Sequence, residues 1–452
     1  MRGNSGDGRL LTEASVPPRS AGAASGPRDS SSASALVEHF FRRNYGRLVA
    51  ILARQVGVQH VDLVEDAVQT ALMSALTAWV AKGVPDAADA WLYRVARNQL
   101  VGTLRKDAGR LRILEGVAGA AAAGDSTMAT VAPASPRLDG EVGDELLRML
   151  FICCDETIPR DSRLVMALKT LCGFSTAEIA LRLFISEANV LKRLGRARER
   201  LRKIAPDLDA VPLQALLPRL ASVHVVLYLM FNEGYLSAQS DRAIRRELCE
   251  EAIRLATVLA EHPVGATPET FALLALMHFH GARLPARLDG MGGLLLLEQQ
   301  DRALWDQGHI RLGAEWLQRS ASGESFTRFH AEAGIAAEHA FAPSFAQTRW
   351  DEIVRLYTRL DQVAPSPLNA MNRAVAVAEW QGPEAGLAAL RDVEPPPWLL
   401  DFYLWDAVLG DLHRRAGHIE VARRHIARAH AAAPTDAERE LLARRLASME
   451  LS

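Results

Sequence analysis

Asn189, Lys192, Arg193, Arg196 and Arg200 stand close together in the chain. At about 100° per residue they fall on one arc of a helix. Cations spaced this way neutralise backbone phosphates and release counterions. Arg and Asn near a helix N-terminus can also make the bidentate contacts that distinguish one base edge from another. The chemistry on offer is recognition rather than bond making.

The elements that would position these side chains are legible around them. On the opposite arc Val190, Leu194, Ala197 and Leu201 recur at spacings of four, three and four, one narrow apolar stripe. Leu191 and Gly195 belong to neither arc. Upstream, Ser175 followed by Glu178 is a capping box, and Ser186 offers a second N-cap after a break at 183–186. Ser175–Lys203 therefore reads as two helices with a tight turn. From Glu187 to Lys203 there are seven Lys or Arg against Glu187 and Glu199. An apolar back and a basic front on the second helix are the layout of a helix-turn-helix in the major groove. A solvated basic helix on an ordinary bundle has the same composition, so the rest of the chain decides.

Other polar groupings offer weaker chemistry. Phe231-Asn232-Glu233-Gly234-Tyr235 and the stretch from Glu298 to Arg302 lie beside apolar helices. They would line a pocket or, as such groups usually do, cap helices and pair across a bundle. His278 and His280 are two residues apart and do not share a helical face. Cys153, Cys154, Cys172 and Cys249 form no C-x-x-C pair, and the adjacent Cys153 and Cys154, in an apolar run, read as buried thiols of a reducing compartment. With no phosphate loop, nucleophile motif or metal-ligand spacing, we expect no catalytic residue, no metal and no cofactor.

The 452 residues carry a net charge of −2, unevenly spread: +4 over residues 1–210 and −6 beyond. A basic first half joined to an acidic second half suits a DNA-binding part coupled to a regulatory one. Long Ala/Leu/Arg/Glu runs at helical spacing make the class all-α. The apolar run near Val223–Phe231 is too short to span a bilayer, and no signal-peptide h-region is evident, so a cytoplasmic location away from membrane is expected. Residues 1–34 are Gly/Ser/Pro/Arg-rich and expected to be disordered.

Between residues 35 and 106 the periodicity predicts three or four helices: one with Leu36, Phe40 and Phe41, one over 45–55, one over 61–81, and AWLYRVARNQLVGTLRK after a loop at 82–89. In the last, Leu92, Ala96, Leu100 and Leu104 face the core, while Arg94, Arg97, Asn98 and Arg105 share the other side. EDAVQTALMSALTAW followed by this helix resembles region two of bacterial sigma factors of the sigma-70 family, and Ser175–Lys203 resembles their region four. The spacing is similar to that of the small extracytoplasmic-function class. One departure stands out: sigma factors commonly have Gly in the helix-turn-helix break, where Phe184 stands here.

The resemblance implies two small sigma domains, at 35–106 and 141–205, joined by an Ala/Gly/Ser/Pro-rich linker at 107–140. It implies that Asp66 and Gln69 dock on the RNA polymerase core. The loop at 83–89 would capture an unpaired base of the −10 element, and Arg94, Arg97, Asn98 and Arg105 would hold the adjoining strand. Asn189, Lys192, Arg193, Arg196 and Arg200 would hold and read the −35 box. The partners are core polymerase and promoter DNA.

Residues 206–452 form a further helical extension, with helices expected at 243–260, 269–280, 294–319 and 325–341 and others beginning near Trp350, Pro367, Pro383 and Trp398. Leu409, Gly410, Gly417, Ala422, Ile426, Ala429 and Pro434 match the tetratricopeptide pattern within 405–438, with a fainter copy around 372–390. The extension is expected to contact the sigma domains intramolecularly and to regulate them in cis. The alternatives are a stand-alone helix-turn-helix regulator with a ligand-sensing helical domain and a pure tetratricopeptide adaptor.

Overall fold

The computed structural model describes residues 45–118, 144–204, 213–237, 243–290 and 292–450. The N-terminal extension expected to be disordered and the helix expected to carry Leu36, Phe40 and Phe41 lie outside the described residues. Among those described there is no strand, only an isolated bridge between Leu288 and Leu294. The class is all-α.

Helix α1 covers residues 45–56. It is followed by α2 (Val61–Lys82) and α3 (Ala88–Ala118). Gly83, with φ 84°, ends α2, and the loop between them is short, so Asp89 already belongs to α3. The expected stripe of α3 holds: Leu92, Ala96 and Leu100 are buried and Leu104 packs partly against the same core. The linker expectation needs correction, because α3 runs on to Ala118 instead of stopping near 106. No proline interrupts 106–118, and Leu, Arg, Ile and Ala there favour continued helix. The remainder of the expected linker, 119–140, lies outside the described residues.

Helices α4 (Glu145–Cys153) and α5 (Arg160–Thr170) lead into α6 (Thr176–Leu183) and α7 (Glu187–Ile204). Asp144 caps α4 by accepting from the amides of Leu146 and Leu147 at 3.0 Å. After a short turn (α8, Leu213–Leu216), α9 (Leu220–Tyr235), α10 (Arg246–Glu261) and α11 (Pro268–Ala282) pack directly on this bundle. Leu146, Leu150, Leu171 and Cys172 line a small gap together with Val226, Leu227, Met230 and Leu255. One apolar core thus runs without interruption from α1 to Ala337, across residue 205. All four cysteines are buried free thiols, and burial pushes those of Cys154 and Cys172 up to about 12.

The helical run Gln214–Tyr235 is longer than its sequence suggested: its length and mean hydropathy of 1.4 would suffice to cross a membrane. Here Val223, Val226, Leu227, Met230 and Phe231 are spent on the protein core. The expected helix over 294–319 also needs correction. It begins only at α12 (Gln307–Ser320), because side chains satisfy the preceding amides locally. Asp289 accepts from Gly293 N at 2.8 Å, Gln299 from Leu296 N at 2.9 Å and Asp301 from Ala303 N at 2.9 Å, and Asp306 then caps α12 through His309 N at 3.0 Å.

Helices α13 (Arg328–Phe341), α14 (Trp350–Val363), α15 (Pro367–Gln381), α16 (Pro383–Leu390), α17 (Pro397–Leu400), α18 (Tyr403–Arg415), α19 (Ile419–Ala432) and α20 (Asp436–Glu450) complete the chain. The repeat-like stretch is one helix pair, α18 and α19, with Gly417 at φ 82° in the turn and Ala422, Ile426 and Ala429 buried.

Candidate nucleic-acid interface

The turn between α6 and α7 has the geometry its caps dictate. Ser175 Oγ accepts from Glu178 N at 3.1 Å, and Glu178 Oε2 accepts from Ser175 N at 2.6 Å. Ser186 Oγ accepts from Asn189 N at 3.3 Å at the start of α7. Phe184 ends α6 in the left-handed region, φ 52° and ψ 46°, and it is the sole non-glycine with positive φ among the described residues. The departure from Gly therefore leaves the left-handed step in place. Such a residue costs on the order of 1 kcal/mol or more. Its ring packs 4.5 Å from Trp398 and 5.3 Å from Phe402, contacts that help hold it there.

On α7, Val190, Leu194, Ala197 and Leu201 are all buried. Lys192, Arg196 and Arg200 are exposed, four residues apart, and Gly195 between them meets nothing within 4 Å. Asn189 and Arg193 are half-buried, and Arg193 lies 3.3 Å from Asp161 on α5. Two cations of the same run point elsewhere. Arg198 pairs with Asp62 at 2.8 Å and with Glu65 of α2, and Arg202 reaches Asp62 at 3.8 Å. The free basic front is thus narrower than the count of seven implied.

In the first bundle Arg94, Asn98 and Arg105 are exposed on α3 and Arg97 is half-buried. Asp66 and Gln69 are exposed on α2. The same face carries Met73, 64 % exposed, and Val80, 48 % exposed, seven and fourteen residues beyond Asp66. Sequence reading missed both, since apolar residues on an amphipathic helix are ordinarily core. Their offset from the buried Val64, Ala67, Val68, Ala71 and Leu72 was the available signal.

Two junctions hold this framework together. At the first, Glu65 is buried, accepts from Thr170 Oγ1 at 2.6 Å and pairs with Arg198. Burial holds its carboxyl above the ordinary range, against the pull of Arg198 and Thr170. At the same seam, the backbone of Gly46 approaches the Leu171 carbonyl too closely for any Cβ. At the second, Arg245 Nη1 donates to Glu178 Oε1 at 2.8 Å and lies 3.3 Å from Glu233 Oε1. Arg182, on α6, pairs with Glu233 and donates to the Leu236 carbonyl at 2.9 Å. Gly234 is required there, because a Cβ would lie 2.7 Å from Cys249 N. Glu233, one of the polar residues of the Phe231–Tyr235 stretch, is therefore a bundle anchor.

The described fold is a helix-turn-helix protein with a second basic helical bundle upstream and a large helical extension downstream. Residues 40–110 match the family Sigma-70 region 2, residues 148–201 match Sigma-70, region 4, and residues 219–321 match a family of unknown function, DUF6596. An uncharacterized protein of Rhizobium meliloti (strain 1021) is 33 % identical over 383 residues, covering 84 % of this chain and 88 % of the relative. The chain belongs to the sigma-70 family of sigma factors, a family whose domains bind RNA polymerase and promoter DNA in transcription initiation.

Proposed function

We propose that the chain is a sigma factor of the extracytoplasmic-function class whose C-terminal half controls it in cis. The observation that carries this reading is the grip on the helix-turn-helix: Arg182 and Glu178 of α6 are tied to Glu233 and Arg245, and the turn residue Phe184 sits on Trp398 and Phe402. Domains close to 35–106 and 141–205 do the promoter work. Asp66 and Gln69, with Met73 beside them, dock on core polymerase. Arg94, Arg97, Asn98 and Arg105 hold the opened strand, and Asn189, Lys192, Arg193, Arg196 and Arg200 hold and read the −35 box. The chemistry of nucleotide addition belongs to the polymerase, so no catalytic residue is needed here, and a cytoplasmic location follows from the role.

Run-off transcription with core polymerase tests this. Full-length protein should direct initiation, and Trp398→Ala should change its level while the helical content stays intact. Failure to co-purify with core polymerase or to initiate from any template would discard the sigma assignment. Unchanged initiation in Trp398→Ala and Phe402→Ala would discard control in cis. Substitution is preferred to truncation after residue 205, because that cut would strip α9 and α10 from a shared core.

A further inference from the structure

Two polar stretches left over from DNA recognition, Phe231–Tyr235 and Glu298–Arg302, meet in the fold. Tyr235 closes α9, and the Arg287 guanidinium lies 3.6 Å from its ring centroid while donating to its carbonyl. His280, near the end of α11, packs 5.0 Å from the same ring. From the second stretch, Gln300 Oε1 accepts from Arg283 Nε at 3.2 Å. Arg302 Nη1 donates to the carbonyls of His339 and Ala342 at 2.5 and 2.9 Å. Arg283 and Arg302 both lie against one indole, that of Trp305, at 5.6 and 4.5 Å.

Three guanidiniums converge here, and each donates only to neutral acceptors; none is paired with a carboxylate among the described residues. Unneutralised cations in a largely buried setting are costly. Hydrogen-bonding groups are also left over. Trp305 Nε1, on a side chain 3 % exposed, has no partner, nor have Arg302 Nη2, the Tyr235 hydroxyl and Nδ1 of His280 and of His339. A concentration of orphaned groups in one place needs a reason. Capping the end of α13 accounts for Arg302 Nη1 and leaves Nη2 unexplained. Burial and the neighbouring guanidiniums hold His280 and His339 down at about 3, so both imidazoles are neutral and each has one N–H to give. A setting rich in donors, in which no guanidinium is paired with a carboxylate among the described residues, is complementary to an oxyanion.

We propose that Tyr235, His280, Arg283, Arg287, Arg302 and Trp305 form a binding site for a small oxyanionic ligand, a phosphate ester or a polycarboxylate. The site adjoins the DNA-binding part. Arg287 holds the Tyr235 carbonyl, and the next carbonyl, that of Leu236, accepts from Arg182 of the helix-turn-helix. An occupant that draws Arg287 toward itself acts on the turn that anchors α6.

Isothermal titration and thermal denaturation of the full chain at fixed ionic strength test the site, with sodium phosphate, sodium citrate and sodium chloride as probes. Saturable binding of phosphate or citrate but not chloride is expected. It should weaken about tenfold or more, about 1.4 kcal/mol, in Arg302→Gln. Trp305→Phe keeps an aromatic ring and removes only the Nε1 donor, so reduced affinity there carries the test if Arg302→Gln does not fold. Arg391→Gln, exposed and outside the cluster, should bind as the parent does. Preference for phosphate identifies a phosphorylated ligand, and preference for citrate a carboxylate. The proposal is overturned if neither anion binds saturably, or if binding is undiminished in both Arg302→Gln and Trp305→Phe. No transcription is read, so this result is independent of the sigma assignment.

Discussion

Arg198 on α7 reaches across the seam between the two bundles to the buried carboxylate of Glu65 on α2, 133 residues earlier in the chain. The helix that presents Lys192, Arg196 and Arg200 to solvent is thereby fastened to the helix that presents Asp66, Gln69 and Met73. Breaking a buried pair from one side is far more damaging than neutralising it, since it strands a charge. Arg198→Met should cost about 3–5 kcal/mol at neutral pH, read as a lowered midpoint in calorimetry. Glu65→Gln, which keeps an acceptor for Thr170, should cost much less.

The same pair gives a pH dependence of defined sign. The folded-state carboxyl of Glu65 is raised, so the folded chain holds this proton more tightly than the unfolded one. Its contribution to stability is complete below the unfolded value, about 4.3, and is lost as pH rises through the folded value. The deficit of Arg198→Met relative to the parent should therefore shrink as pH falls from 7 toward 5, and Glu65→Gln should abolish that trend. A deficit that is constant over this range would count against a buried carboxylate at the seam.

The free basic front makes a third prediction. Lys192, Arg196 and Arg200 are unpaired in the folded chain among the described residues, so Arg196→Ala should weaken holoenzyme binding to promoter DNA and lower the salt slope by about one for each phosphate left unneutralised. Arg193 is shared with Asp161. If it leaves that partner for a base, Arg193→Ala should cost about 1–3 kcal/mol and relax sequence preference at one position. Anisotropy titrations over a range of salt, with matched and mutated −35 boxes, separate the two.

Met73 and Val80 share an exposed face with Asp66. Met73→Glu should leave the folding stability within about 0.5 kcal/mol of the parent, as surface changes do, while abolishing co-purification with core polymerase. Retained co-purification would move the docking surface elsewhere.

Local pattern made much of this architecture legible. The capping box of Ser175 and Glu178, the stripe Val190–Leu201 and the two faces of α3 are all set by neighbours three or four residues apart. Pairings between distant segments were not legible. Nothing near Arg198 distinguishes it from Arg196, yet a rotation of two residues turns one toward Glu65 and the other to solvent. Glu233 reads as an ordinary helix-end polar group, and its joint hold with Arg245 on α6 depends on α9 and α10 meeting that helix in space. The helix expected at 294–319 failed because Asp289, Gln299, Asp301 and Asp306 each satisfy an amide locally, a competition that hydrophobic periodicity does not register.

Phe184 joins strain to aromatic packing, and the two respond oppositely to substitution. Phe184→Gly removes a left-handed penalty on the order of 1 kcal/mol, and it forfeits two ring–ring interactions worth about 0.5–1.5 kcal/mol each. The net change in global stability should be small. The local change should be large, because Trp398 and Phe402 are then without the ring that ties α17 and the start of α18 to the turn. Hydrogen exchange should accelerate around 397–404 in Phe184→Gly with little change in α9–α11, whose core does not include that ring. Phe184→Trp, which retains an aromatic side chain, should not show this acceleration. If exchange around 397–404 is the same in the parent and in Phe184→Gly, the turn does not hold the C-terminal helices.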